Sequence, residues 1–415
     1  MNNKKRVVVF IILSLTAGMA YFTPLLKFTF YDQMMTALQL DDVQVNVLSS
    51  VYALVNIVMY PISGYLGDRF SARKMISLSM FALAALTVWY AFTTDYTTLI
   101  VIHALFGVFA VGSFWCPYLK AIRSLGDESI QSKLFGMSEA TRGLGQAAVG
   151  FAAIWLISTT VSVETGFSRM LLMTAAVYVG LGILVLALLP KTSAAAAPAG
   201  QKQKEPSRML EAIKNPGTWI TTLMLMSGFC LWLLSNTYLT TYSVRVLGIS
   251  QELASTLGII RSYAIVFIAG FGGGWLLDKF TYKGKTFIII FLSCAGVIAA
   301  LMSCTQLVVL SIFLTVVLTL ITNVIKSTYW SVLGQAGIPV AMTASATGVI
   351  SFFVFIPESF ITVICGSWLR SAEAAGNVAS AFSMIFALMI AFAVVGSAAA
   401  LLLLKRTKKL RALQD

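Results

Sequence analysis

The chain has 415 residues, 58% hydrophobic and only 11% charged, and its 29 lysines and arginines against 16 acidic residues leave a net charge of +13. Soluble domains are typically about 45–50% apolar and about 25% charged, so a water-soluble enzyme is excluded, as are disordered, collagen-like and coiled-coil chains. Such basicity would suggest nucleic acid in a soluble protein; in a chain this apolar no nucleic-acid partner is expected, and the question becomes which side of a bilayer holds the cations.

A bilayer core about 30 Å thick takes about 20 apolar residues per helix. Twelve such runs are predicted, at 7–30, 44–66, 75–94, 98–121, 133–158, 169–190, 218–244, 252–277, 286–304, 307–332, 342–369 and 378–404. The first follows Lys4, Lys5 and Arg6 but is too long for a signal peptide and lacks a small-residue cleavage site, so it reads as an uncleaved span. Lys27 stands near its end, where a long stem can snorkel to the outer edge. The polar stretch from Lys191 to Thr218, rich in Ala, Lys and Gln with Pro198 and Gly200, reads as a flexible linker. The expected division is a six-helix bundle over 1–190, a linker over 191–217 and a second six-helix bundle over 218–415.

With the N-terminus inside and sides alternating, twenty-two of the 29 cations fall in inside segments and only Arg169, Arg245 and Arg370 fall outside. That asymmetry places both termini in the cytoplasm of a multi-pass inner or plasma membrane protein. The five cysteines lie in or beside apolar runs at spacings that fit neither a metal site nor a disulfide framework, and read as small core hydrophobes.

The loop after the second run reads Gly64-Tyr65-Leu66-Gly67-Asp68-Arg69-Phe70-Ser71-Ala72-Arg73-Lys74. The loop after the eighth reads Gly274-Trp275-Leu276-Leu277-Asp278-Lys279-Phe280, followed by Lys283 and Lys285. Gly64 and Gly274, and Asp68 and Asp278, share one offset of 210 residues, which marks a duplicated six-helix unit. A glycine lets two helices approach closely, and an aspartate can cap a helix N-terminus or pair with a cation.

The loop motif, its second copy and the twelve-helix plan resemble the major facilitator superfamily over essentially the whole chain. Ser71 stands where that family usually has Gly and Ala72 where it often has Arg, with Arg73 able to supply the charge. The resemblance implies an all-α membrane protein, twelve transmembrane helices in two pseudo-symmetric bundles. It also implies a gate formed by Gly64, Asp68, Arg69, Arg73, Gly274 and Asp278 that favours the outward-open form. Trp115-Cys116-Pro117-Tyr118-Leu119-Lys120, with Arg142 followed by Gly143 and Gly145, resembles the organophosphate and organic-anion branch. The seventh-helix Arg of its organophosphate members is absent here, where Leu233-Leu234-Ser235-Asn236 stands, and the fifth helix lacks the Gly-Pro signature of the proton-coupled drug antiporters.

Ionisable groups at the bilayer centre cost about 2.5–3.5 kcal/mol each and usually face a polar cavity. The embedded set is Lys27, Arg142, Arg261, Lys326, Glu139 and Glu358, an excess of cations that favours an anionic solute. Arg142 and Arg261 lie roughly 14–15 Å into their spans at 1.5 Å per residue. Glu358 follows Pro357, which opens the helix backbone there. Glu139 and Arg142 are three apart on one helix face and either neutralise one another or act as a switch. The sole histidine, His103, is a packing residue or a proton-sensitive group. Proton coupling is assigned to Glu139, Glu358 and His103. Substrate binding is assigned to Arg142, Arg261, Lys27, Lys326, Trp115, Tyr118, Asn236 and Tyr329.

No P-loop, H-E-x-x-H, G-x-S-x-G or C-x-x-C occurs, so no cofactor and no enzymatic activity is expected. The expected activity is secondary transport of a small organic anion by a monomer in the lipid bilayer, coupled to protons or a counter-ion. The alternatives are a drug or neutral-metabolite exporter, and a membrane sensor that binds solute without moving it.

Overall fold

The computed structural model describes residues 3–40, 42–190, 208–249, 257, 261 and 265–413. Residues 191–207 of the expected linker over 191–217, and residues 252–256, 258–260 and 262–264 of the expected eighth span over 252–277, lie outside the described residues, as do 250 and 251. The rest of the expected linker is helical rather than irregular, with a helix over Arg208–Lys214 and the next starting at Pro216. Among the described residues the chain is helical, with eleven helices long and apolar enough to cross a membrane and a shorter apolar helix, Val266–Leu277. The all-α reading holds.

The helices are α1 (Asn3–Ala20), α2 (Lys27–Leu38), α3 (Asp42–Arg69), α4 (Ala72–Ala91), α5 (Tyr96–Gly107), α6 (Trp115–Arg123), α7 (Gln131–Ser158) and α8 (Val163–Leu188). They continue as α9 (Arg208–Lys214), α10 (Pro216–Arg245), α11 (Val266–Leu277), α12 (Lys283–Ser303), α13 (Val308–Thr328), α14 (Thr343–Phe355), α15 (Glu358–Ala374) and α16 (Val378–Arg411). Local chemistry marks their starts. Ser71, Asp95, Ser162 and Asn377 cap the helices that follow them by accepting a backbone N–H, and Pro216 opens α10 behind Asn215. Ser71 accepts from the Lys74 N–H, which gives that departure from the family loop a structural use.

Among the described residues three spans are interrupted. The first stops at Ala20 and resumes through a short 3-10 turn, Thr23–Leu25, around Pro24. The fourth is α5 and α6 joined through a π-helical segment, Val108–Gly112. The eleventh is α14 and α15, broken at Pro357.

The chain forms two compact units. Unit 1 holds residues 1–125, 141–212 and 340–352, and unit 2 holds 126–140, 213–339 and 353–415. In unit 1, α4 packs on α8, α3 on α5, and α1 on α8. In unit 2, α16 packs on α12 and α10, and α11 on α13. Each unit thus contains one helix start, 340–352 or 126–140, from the other part of the sequence.

Candidate functional site

The two loop copies build matching clasps, one in each unit. In unit 1 the Asp68 carboxylate accepts the Ser345 backbone N–H at 2.9 Å and the Lys120 ammonium at 2.9 Å. Lys120 also donates to the Gly67 carbonyl at 3.1 Å. In unit 2 the Asp278 carboxylate accepts the Ser132 N–H at 3.0 Å and the Lys133 N–H at 2.7 Å, and the Lys283 ammonium lies 3.3 Å away. The first turn of a helix has N–H groups without intrahelical partners and a partial positive charge, so each carboxylate meets both needs at once.

Glycines allow the approach. A Cβ on Gly64 would lie 2.8 Å from the Ala344 carbonyl oxygen and 3.1 Å from the Gly348 Cα. A Cβ on Gly270 would lie 2.7 Å from the Gly136 carbonyl oxygen, and one on Gly274 would lie 2.9 Å from the Lys133 Cα. Backbones in contact at such positions follow the small-residue rule for helices in lipid.

The clasps use cations outside the expected gate residues. Lys120 comes from α6, and Lys283, with its side chain only 2% exposed, also reaches the carbonyls of Glu128 and Ser331. Arg123, equally buried, donates to the Thr343 hydroxyl at 2.8 Å beside the Asp68 clasp. Sequence reading placed none of these three in the gate. The signals available were the position of Lys283 in the second copy and that of Lys120 at the end of the run beginning at Trp115; Arg123 carried only its place at the end of an apolar run. Arg69 bonds the Tyr65 hydroxyl on its own helix face, and Arg73 begins α4 at its second position.

Unit 1 gathers one group of predicted site residues around a residue that sequence reading passed over, Tyr21. The break in the first span is held by Tyr178 of α8, whose hydroxyl donates to the Met19 carbonyl at 2.7 Å and lies 3.0 Å from the Thr23 hydroxyl. At that break the Tyr21 ring has the Arg142 guanidinium 5.7 Å from its centroid, a cation–π distance. The same ring meets Trp115 edge-on at 6.0 Å and Phe114 at 6.4 Å, and Phe114 stacks on Tyr118 at 5.4 Å. Trp115 donates its indole N–H to the Ser351 hydroxyl at 3.0 Å, and Gln146 donates to the Gly18 carbonyl at 3.0 Å. The signal for Tyr21 was the Thr23-Pro24 interruption two residues later.

Unit 2 gathers another. The Lys326 ammonium lies 5.3 Å from the Trp232 ring centroid, 5.7 Å from that of Tyr329 and 4.0 Å from a Glu139 carboxylate oxygen. Trp232 donates its N–H to Asn323 at 3.1 Å, and Asn236 donates to the Trp232 carbonyl at 2.9 Å. Sequence spacing linked Glu139 to Arg142 on its own helix; tertiary packing adds a cation from α13.

Arg261 is buried, at 5% exposure. Its Nε donates to the Leu257 carbonyl at 3.2 Å and one terminal nitrogen donates to the Thr240 hydroxyl at 3.2 Å. The other, Nη1, is buried and has no hydrogen-bond partner among the described residues. Glu358 opens α15 behind Pro357 and is exposed. Lys27 opens α2, its ammonium 5.2 Å from the Phe28 ring centroid. His103 is 2% exposed, with Nδ1 2.8 Å from the Leu99 carbonyl and the rings of Tyr90 and Phe106 edge-on at 5.5 and 5.7 Å. The structure places it inside an aromatic core. Among the described residues no cluster of metal-ligating side chains occurs.

Residues 7–393 match the sequence profile of the Major Facilitator Superfamily. Among curated proteins, the chain is similar to the inner membrane protein YqcE of Escherichia coli, 25% identical over 389 residues and 91% of each chain. It is also similar to the inner membrane protein YihN of Escherichia coli, 25% identical over 98% of this chain and 97% of that one. Among solved structures, the transporter FucP in its outward conformation superposes with a TM-score of 0.73 at 17% identity, covering 94% of this chain and 99% of that chain. The proton:xylose symporter XylE superposes with a TM-score of 0.67 at 15% identity, covering 99% and 100%. At these identities the solved structures speak to the fold.

Proposed function

The chain belongs to the Major Facilitator Superfamily, and from that premise we propose that it moves a small organic anion across the membrane by alternating access. Membership makes it a multi-pass membrane transporter; the solute class and the coupling are the proposal.

One observation carries the solute class. A buried guanidinium keeps an N–H nitrogen, Nη1 of Arg261, without a hydrogen-bond partner among the described residues. Leaving a buried donor unsatisfied costs about 1–3 kcal/mol, more when it is charged, and an anionic solute group meets that need. Arg142, on the Tyr21 ring, is the cation proposed for the same task in unit 1. Arg carries a planar fork that matches a carboxylate. Trp115, Tyr118, Asn236 and Tyr329 are the proposed aromatic and polar lining. The two aspartate clasps are the proposed gate, holding the cytoplasmic side closed. We place the protein in the inner or plasma membrane, as a monomer with both termini cytoplasmic.

A thermal-shift screen of the purified full-length protein tests the solute class, with organic anions, inorganic phosphate, neutral sugars and cationic drugs as probes. The expected result is stabilisation by organic anions, lost in Arg142→Ala and Arg261→Ala and partly kept in the Lys variants. Stabilisation by neutral sugars or cationic drugs alone overturns the organic-anion reading.

A further inference from the structure

The end of unit 2 that carries the second loop copy holds cations unlike those of the clasps. Lys120 and Lys283 each face an aspartate. Among the described residues no carboxylate stands at ion-pair distance from Lys279, Lys285, Lys405, Lys408, Lys409 or Arg411. The acid in this loop, Asp278, is already engaged by Lys283 and two backbone N–H groups. Three of the six cations rest on aromatic rings instead. The Lys279 ammonium lies 3.4 Å from the Trp275 ring centroid, and Lys408 and Arg411 lie 5.9 and 4.8 Å from that of Tyr282. A ring attracts a cation without cancelling its charge, so the positive field of the group persists.

The cations of the chain end are held in place. Helix α16 continues to Arg411, and one stripe of it is fastened to unit 2. Arg406 donates to the Ala336 carbonyl at 2.6 Å and to the Asn215 amide oxygen at 2.9 Å, and Thr407 donates to the Gln335 carbonyl at 3.0 Å. At 3.6 residues per turn, Lys405, Lys408 and Lys409 fall on the side opposite that stripe, and all three are exposed. Arg411 points between, and donates to the Thr281 carbonyl at 3.2 Å. Helix α12 starts beside the same stretch, because Gly284 has no side chain there: a Cβ would lie 2.9 Å from the Ala400 carbonyl oxygen. The loop over 279–285 and the end of α16 therefore form one basic surface with a fixed shape.

The level of this surface identifies its partner. Helix α16 carries no charged residue from Val378 to Leu404, and its cations begin at Lys405. At 1.5 Å per residue, Lys405 to Arg411 covers about 9 Å beyond that apolar stretch, which is where the headgroups outside a core about 30 Å thick lie. On the membrane side of the cations, Trp275, Leu276, Leu401 and Leu402 are exposed and apolar. A free anion needs only the cations. A phospholipid needs cations at phosphate level and apolar surface directly beside them, and a lysine on a tryptophan face is an interfacial pairing. We propose that this end of unit 2 binds an anionic phospholipid, with Lys279, Lys408 and Arg411 on its negative headgroup and its acyl chains along Leu401, Leu402 and Trp275. The lipid ties the loop that carries Asp278 to the end of α16. This inference is independent of the solute class; the leaflet, the cytoplasmic one, follows from the sides assigned above.

The test uses the full-length protein, stripped of lipid in detergent, with three probes: dioleoyl phosphatidylglycerol, dioleoyl phosphatidylcholine and inorganic phosphate. Native mass spectrometry counts retained lipid, and thermal shift reads the affinity. Phosphatidylglycerol is expected to bind and stabilise the wild type, and the other two are not. Each cation is expected to contribute about fivefold, so the triple change Lys279→Gln, Lys408→Gln and Arg411→Gln should weaken phosphatidylglycerol about a hundredfold. Lys408→Gln alone should weaken it about fivefold, and it leaves the Arg411 bond to Thr281 intact. The matched control is Lys202→Gln, Lys204→Gln and Lys214→Gln, which loses the same charge elsewhere and should bind within twofold of the wild type. Equal weakening by the two triple variants would mean general attraction to a basic protein and overturns the site. Phosphatidylcholine or inorganic phosphate that stabilises as strongly as phosphatidylglycerol overturns the anionic-lipid assignment.

Discussion

Replacing Asp278 by Asn removes one negative charge from the unit 2 clasp while keeping nearly the same shape. The carboxylate accepts two backbone N–H groups at the start of α7 and faces Lys283, whose side chain is 2% exposed. An N-cap contributes about 0.5–2 kcal/mol. Removing one partner of a fully buried ion pair costs about 3–5 kcal/mol. Both figures are upper limits here, because Asn keeps one accepting oxygen and Lys283 keeps the carbonyls of Glu128 and Ser331. We therefore expect a loss of about 2 kcal/mol, or roughly thirtyfold in the opening equilibrium at about 1.36 kcal/mol per factor of ten. Amide hydrogen exchange reads this directly, since the Ser132 and Lys133 N–H groups are the donors. Their exchange should quicken by about thirtyfold in Asp278→Asn. The double change Asp278→Asn with Lys283→Met should recover part of the loss, because no buried charge is then left over. Exchange at Ser132 and Lys133 that matches the wild type would refute the clasp and leave the loop as a topology signal alone.

Asp68→Asn should have the smaller effect, read at the Ser345 N–H, because that carboxylate holds one backbone donor and a lysine that is 15% exposed; an effect larger than that of Asp278→Asn would reverse this ranking. Gly64→Val should block the approach of α3 to α14, since even a Cβ meets the Ala344 carbonyl oxygen at 2.8 Å, and hydrogen exchange at the Ser345 N–H, which the Asp68 carboxylate accepts, should quicken; unchanged exchange there would refute the close approach. Impermeant thiol reagents added to intact cells should modify a cysteine at Glu164 or Glu373 and spare one at Gln203; labelling of Gln203 would refute the assigned sides. The Asp95 carboxyl is held below the ordinary carboxylate range by the Thr98 hydroxyl and then by the Thr98 N–H. Its cap should therefore be complete above the unfolded value of about 3.9 and be lost only as pH falls through the lower folded value. Exchange at Thr98 across an acid titration checks this.

Fold class was legible in the sequence because burial in lipid leaves a one-dimensional trace. A span needs about 20 apolar residues, and those runs can be read without knowing any contact. The duplicated loop was legible for the same reason, since two copies at one offset are a property of the string. What the loop holds was decided only by packing. Asp68 finds Ser345 and Asp278 finds Ser132, partners 277 and 146 residues away. Their N–H groups carry no sequence mark, because every helix start has free donors. The embedded charges divide in the same way. Their presence could be read, and helical spacing linked Glu139 to Arg142 because residues three apart share a face. The Lys326 contact depends on how α13 crosses the start of α7, and the Tyr21 ring reaches Arg142 only because the first helix breaks at Ala20 under the Tyr178 hydroxyl. Periodicity constrains neighbours on one helix to a few residues, whereas the meeting of two helices is settled by glycine contacts and capping between distant segments, which exist only once the chain has folded.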